Sequence, residues 1–233
     1  KMDTTFVLIL LLSPILGFLF NTFFGKQLSR TTSGAVGTIA VGISFVVSVI
    51  LFNKVLQSGQ GITVHFFDWI ELYNFNVGFS FLLDQLSLIW LLFVTGIGTL
   101  IHVYSISYMH DDENIHKFFA YLNLFVFFMI TLVAGSNLLI MFIGWEGVGL
   151  CSYLLIGFWY KVQENNDAAK KAFIMNRIGD LGFLAGVFII GYLFNSLDYV
   201  IIKQAIATGN YVDLGWLAFA TFCLFIGAAG KSA

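Results

Sequence analysis

Charge is scarce in this 233-residue chain: Asp, Glu, Lys and Arg make up 10% of it, against about 25% in a soluble domain. With 59% hydrophobic residues and a mean hydropathy of +0.90, that scarcity marks a membrane protein. The net charge of −2 gives no case for nucleic acid. Cysteine is nearly absent. Cys151 and Cys223 both sit in apolar segments, so the chain offers two buried thiols and no disulfide framework, iron–sulfur cluster or zinc cluster. Of four histidines only His102 falls within an apolar run; His65, His110 and His116 fall between runs. That leaves no pair of intramembrane histidines for axial haem ligation. Gly227-Ala228-Ala229-Gly230-Lys231-Ser232 has the ending of a phosphate-binding loop but neither its length nor its context. A single proline stands against 23 glycines, most of them inside apolar runs, where they permit close helix approach.

What remains is apolar sequence in lengths that match a bilayer. About 20 residues of helix cross the hydrocarbon core. Seven segments qualify, at roughly 5–24, 33–56, 84–108, 117–134, 137–159, 170–194 and 213–231. The run Phe6 to Phe24 lacks a basic leader and a small-residue cleavage pattern, so a retained span is expected. The short gap Ala134-Gly135-Ser136-Asn137 predicts that the fourth and fifth spans are antiparallel neighbours. Lys26, Arg30, Lys117, Lys161, Lys170, Lys171 and Arg177 lie on one side of this arrangement, and Lys1, Lys54 and Lys203 on the other. Basic residues favour the cytoplasmic side, so the expected orientation has the N-terminus outside.

The segment 60–82 is different. Ile62, Val64 and Phe66 alternate with polar residues, as do Phe75, Val77, Phe79 and Phe81. Period-two alternation around a polar centre predicts a β-hairpin outside the membrane. Tyr199 to Ala207 reads as a short surface helix. The expected fold is an all-α polytopic membrane protein of about seven transmembrane helices, with that hairpin inserted into one domain covering 1–233.

Against this background the ionisable residues stand out. Glu146 lies in Gly144-Trp145-Glu146-Gly147-Val148-Gly149, with apolar sequence on both sides. A charge at mid-membrane costs roughly 2.5–3.5 kcal/mol on insertion scales, so such residues are functional candidates by default. Burial favours the neutral carboxyl and a nearby cation the charged one, a competition that suits a proton-loading group. The alternative is a fixed, fully paired structural carboxylate. Arg177 and Asp180 are three apart and share a helix face with Lys170. They suit either a proton uptake route that modulates Glu146 or a salt bridge that makes the helix insertable. Lys231 follows two glycines, where a helix can break. It is either a buried proton carrier or a helix-ending residue that snorkels to the surface. Thr95, Thr99, His102 and Ser105 form a stripe better suited to interhelical hydrogen bonding than to proton relay, and Asp84 reads as a helix-start residue.

These residues carry a resemblance. Phe118-Phe119-Ala120-Tyr121-Leu122-Asn123-Leu124-Phe125, then Gly144 to Trp159 (GWEGVGLCSYLLIGFW), Lys170-Lys171-Ala172-Phe173, Asn176-Arg177-Ile178-Gly179-Asp180 and Gly230-Lys231-Ser232-Ala233 follow in order. Together they resemble the antiporter-like subunit L (bacteria) or chain 5 (mitochondria) of respiratory complex I, the NADH:quinone oxidoreductase, over nearly the whole chain. The resemblance implies a proton-translocating subunit at the distal end of the membrane arm. Its partners would be other membrane-arm subunits and the lipid bilayer, in a bacterial inner membrane rather than a mitochondrial one. It implies no redox site or cofactor in this chain, with NADH, FMN, iron–sulfur clusters and quinone in partner subunits. Glu146 matches the family's mid-membrane glutamate, Lys231 the lysine at the break of a discontinuous seventh helix, and Arg177 and Asp180 an ion pair on the sixth. A direct Glu146–Lys231 pair is therefore expected, worth roughly 4 kcal/mol at about 4 Å and an effective dielectric near 20. The family extends well past residue 233, so the chain is expected to hold most of the first helix bundle and no complete transmembrane route. The alternatives are a subunit of a multi-subunit cation (sodium)/proton antiporter and a purely structural anchor.

Overall fold

A computed structural model describes residues 2–73, 75–209 and 213–232. Lys1, Asn74 and Ala233, which entered the loop charge count, the hairpin turn and the last matched motif, lie outside the described residues. The chain forms helices α1 (Met2–Phe23), α2 (Arg30–Ser58), α3 (Gln85–Tyr108), α4 (Ile115–Ala134), α5 (Leu138–Ile156), α6 (Gln163–Phe194), α7 (Tyr199–Ala207) and α8 (Leu214–Lys231). Strands β1 (Ile62–Leu72) and β2 (Phe75–Leu83) lie between α2 and α3. All helices except α7 are long and apolar enough to cross a membrane, matching the seven segments read from the sequence. α6 begins seven residues earlier than expected. Its first turns are polar but bond along the helix, Gln163 Nε2 to Asp167 Oδ1 at 2.9 Å and Lys170 to Asp167 at 3.9 Å, which extends it beyond the apolar part.

Local chemistry sets the helix starts. The Asp84 side chain accepts from Ser87 N while the Ser87 hydroxyl accepts from Asp84 N, a reciprocal capping box that opens α3. Asn137 caps α5 by accepting from Leu139 N and Ile140 N. The lone proline, Pro14, falls inside α1. It has no N–H to offer the Leu10 carbonyl one turn back. In a membrane that carbonyl needs another donor, and Ser44 Oγ of α2 supplies it at 2.9 Å. Ser13 Oγ donates to Ala40 O beside it, at 2.5 Å. The break in α1 thus becomes a cross-link to α2.

β1 and β2 pair antiparallel, with register shifts between His65 and Phe67 and between Asp68 and Ile70. The bulges fall on β1; β2 is continuous, so Val77, Phe81 and Leu83 share its inward face and are buried, with Val64 buried opposite Phe81. The hairpin rests on the α4–α5 connection: Ser136 N donates to Ser80 O at 3.2 Å and Asn137 Nδ2 to Gly78 O at 2.9 Å. Tyr199 N of α7 donates to Ser136 O at 3.2 Å. The hairpin, the α4–α5 turn and the start of α7 therefore share one end of the bundle.

Buried apolar residues form one cluster among α1, α2, α3, α4, Ile140 of α5 and the hairpin, and a second among α5, α6, α8 and the hairpin. α4 and α5 join the two halves as antiparallel neighbours. A Cβ at Gly144 would stand 2.4 Å from Leu132 N, and one at Gly147 would stand 2.1 Å from the Phe128 ring. Only glycine lets the helices approach so closely.

The last helix ends at Lys231 with Ser232 as its C-cap, so the expected break at Lys231 falls at the end of the described residues, and Gly227 and Gly230 lie within the helix. They serve packing: a Cβ at Gly230 would stand 2.8 Å from Gly179 Cα, and one at Gly227 would stand 2.7 Å from Phe183 Cβ.

Candidate functional site

α5, α6 and α8 bring Glu146, Arg177, Asp180 and Lys231 together around Trp145. The arrangement follows from helical spacing. Trp145 and Gly149 are one turn apart on α5, and Phe173, Arg177 and Asp180 occupy successive turns of α6. The close α6–α8 approach at Gly179 and Gly230 sets Lys231 beside them.

The pairing differs from the expected one. Glu146 Oε2 makes its ion pair with Arg177 across the α5–α6 interface. Arg177 therefore does not pair with Asp180 on its own helix. Asp180, which is buried, accepts from the Trp145 indole at 2.7 Å. Lys231 is not in direct contact with Glu146; its ammonium donates to the Trp145 carbonyl and lies 4.9 Å over the Trp145 ring. The physical reason is reach. Trp145 and Glu146 are adjacent on α5 and so project in different directions, and the space beside Gly149 admits Lys231 on the tryptophan side. A Cβ at Gly149 would stand 3.2 Å from Lys231 Nζ.

The four groups still act on one another. Asp180, Arg177 and Lys231 all interact electrostatically with Glu146, whose carboxyl adjoins that of Asp180. Lys231 interacts electrostatically with both carboxyl groups, Asp180 and Glu146. Glu146 Oε1 is buried with no hydrogen-bond partner. The carboxyl group thus has one oxygen held by a cation and one buried without a hydrogen bond. The Glu146 side chain is 21% exposed and that of Arg177 50%. The guanidinium also lies 4.9 Å over the Phe173 ring, so it has a second resting surface one turn from the ion pair.

Lys170 takes no part, since its partner is Asp167 at the exposed start of α6. In the α3 stripe, Thr95 and Thr99 donate to backbone carbonyls one turn back, at 2.6 and 2.7 Å. His102 Nδ1 bonds Gly98 O at 2.7 Å, which makes Nδ1 the donor. Nε2 is then free to accept from Asn123 Nδ2 of α4 at 3.4 Å. The interhelical role read from the sequence holds for His102 and for Thr95, whose hydroxyl also reaches Ser48 Oγ of α2 at 3.5 Å, while the bonds to carbonyls one turn back stay within α3. Sequence reasoning missed Trp145, although it stands next to Glu146 in the strongest motif.

Two family profiles match the chain. Residues 69–119 match one described as NADH-ubiquinone oxidoreductase (complex I), chain 5 N-terminus. Residues 134–233, which contain all four site residues, match one described as NADH:quinone oxidoreductase/Mrp antiporter, TM. NADH-quinone oxidoreductase subunit L of Escherichia coli is 41% identical over 224 residues, 94% of this chain and 36% of that protein. The chain belongs to the subunit L / chain 5 family. NADH-ubiquinone oxidoreductase chain 5 of Chondrus crispus is 40% identical over 97% of this chain and 35% of its own length. The chain thus spans about a third of the length of these relatives. With seven helices able to cross a bilayer and this membership, it is an integral membrane protein.

Solved structures show the same fold at low identity. One is an archaeal respiratory membrane complex, the membrane-bound sulfane sulfur reductase, with TM-score 0.81 and 17% identity over 97% of this chain and 44% of that one. Another is the Mrp complex of a Dietzia species, with TM-score 0.78 and 19% identity over 96% of this chain and 24% of that one.

Proposed function

We propose that this chain forms part of a proton-translocating subunit in the membrane arm of a bacterial NADH:quinone oxidoreductase. Glu146, Arg177, Asp180 and Lys231 carry the proton steps, and NADH, FMN, iron–sulfur clusters and quinone act in partner subunits. The excess of basic residues on one side supports an N-terminus outside, and an inner-membrane location belongs to the same proposal. The observation that carries this reading is the cluster of two carboxyl groups, a guanidinium and an amine gathered between apolar helices, with one Glu146 oxygen buried and without a hydrogen bond. Two acids and two bases held together between apolar helices are costly unless they are used.

The geometry suggests how such a cluster works. A proton arriving at Glu146 Oε1 neutralises the carboxyl and weakens its hold on Arg177. The guanidinium then relaxes toward Phe173, over which it already lies. Loss of the Glu146 charge is felt at Lys231, which interacts electrostatically with both Glu146 and Asp180 and rests on the Trp145 carbonyl. Lys231 is the group positioned to pass a proton onward. Moving one charge through the membrane potential costs about 2.3 kcal/mol per 100 mV. A charge pair worth a few kcal/mol in this setting is of the size needed to gate the step.

A second reading, a subunit of a multi-subunit cation/proton antiporter, is favoured by the fold shared with the Mrp complex. Co-purification with NADH-oxidising subunits supports the first reading, and isolation with antiporter subunits alone supports the second. Within the first, Glu146→Gln in the assembled complex lowers the protons moved per electron pair more than it lowers electron transfer. An unchanged ratio refutes it.

A further inference from the structure

The cluster of four charges leaves Trp145 without a reason. Packing alone asks only for an aromatic ring: the Trp145 ring stacks on Phe183 with centroids 5.1 Å apart, and Phe142 stacks on the same ring at 5.6 Å. A phenylalanine would fill that place. The indole does more. Its N–H donates to Asp180 Oδ1 at 2.7 Å and its face lies 4.9 Å from Lys231 Nζ, beside the residue's backbone carbonyl, which accepts from the same ammonium and would do so with any residue here. We propose that Trp145 is a positioning residue that holds Asp180 and Lys231 on either side of one residue, so that the two charges act as one unit. The inference rests on the ion-cluster reading above and assigns that cluster its inner wiring.

The chemistry has one direction. Indole nitrogen donates and never accepts, so Asp180 must offer an oxygen, and the bond is strongest when that oxygen is charged. The ring face attracts a cation and does not attract a neutral amine in the same way. One side chain therefore favours the charged state of both neighbours. Trp145 is also covalently next to Glu146, in the same turn of α5. A shift at Glu146 that moves this turn moves the carbonyl on which Lys231 rests.

The test uses the assembled complex in proteoliposomes. Trp145→Phe keeps the stack and removes the N–H. The expected result is an initial rate of proton translocation about tenfold lower, the scale set by one charge-assisted hydrogen bond, with a displaced pH profile. Asp180→Asn acts on the same link, so the double variant is no worse than the poorer single one. Phe183→Leu is the packing control: it lowers thermal stability and leaves the pH profile in place. The inference is overturned if Trp145→Phe leaves rate and profile unchanged, if the two substitutions add, or if Phe183→Leu displaces the profile equally. If Trp145→Phe has no effect while Glu146→Gln does, only this inference fails. If neither has an effect, the ion-cluster reading fails with it.

Discussion

Removing Arg177 and removing Glu146 are expected to have unequal consequences. The two side chains form one ion pair, yet Arg177 is 50% exposed and Glu146 21%. Glu146→Gln leaves a guanidinium that already reaches the surface of the chain and lies over Phe173, so it keeps a favourable place. Arg177→Gln leaves a carboxylate with one oxygen already buried and unpartnered. Breaking a buried pair by deleting one partner costs about 3–5 kcal/mol, whereas exposed pairs are worth about 0–1. With one partner half-exposed, Arg177→Gln is expected to cost about 1–3 kcal/mol and Glu146→Gln less than about 1. The double substitution removes the stranded charge and recovers most of the Arg177→Gln loss. Thermal unfolding of the detergent-solubilised complex, followed by intrinsic fluorescence and native-gel integrity, measures all three. Equal single losses, or a double loss equal to their sum, refute the reasoning.

Two further outcomes follow from other parts of the chain. Ser44→Ala deprives the Leu10 carbonyl of its donor at a fully buried position; the expected loss is about 0.6–2 kcal/mol. Pro14→Ala restores a backbone N–H to that carbonyl, so it offsets the Ser44→Ala loss in a double-variant unfolding titration, and additive losses contradict the account. In α7, burial first and the neighbouring Asp198 second raise the Tyr199 phenol above its ordinary range; its O–H donates to Met141 Sδ at 3.0 Å. The unfolded chain therefore releases this proton first, at pH about 10. Below that pH the group adds no slope, and above it stability falls by up to about 1.4 kcal/mol per pH unit. Comparison of the wild-type chain with Tyr199→Phe in alkaline unfolding isolates this slope, and coincident curves contradict it.

The spans were legible because bilayer thickness writes itself into the sequence as runs of apolar residues. The antiparallel α4–α5 pair was legible from the brevity of its turn, and the hairpin from its alternation. The start of α6 was not, because hydropathy ends where the membrane ends, while Gln163, Asp167 and Lys170 carry the helix onward by side-chain bonding. Proximity of Glu146, Arg177, Asp180 and Lys231 was anticipated, but their pairing was not. Spacing along α6 placed Arg177 and Asp180 on one face without saying which would reach across to α5. Pair choice depends on the direction in which side chains leave neighbouring helices and on the space beside Gly149, neither of which a one-dimensional pattern records. The repair of Pro14 by Ser44 was hidden for the same reason: the partners are 30 residues apart and meet only when α1 and α2 pack. Trp145 was in plain view, yet a tryptophan in an apolar segment carries no signal of its own until its N–H is seen to face a carboxylate.

The central claim is that the Glu146 carboxyl is a proton-carrying group and more than a structural charge. The most direct measurement is the number of protons translocated per electron pair by the assembled complex carrying Glu146→Gln, taken with the quinone reduction rate in the same proteoliposomes. The account predicts a lower ratio with electron transfer less affected. A ratio equal to that of the wild-type complex, in a variant that assembles fully, contradicts it.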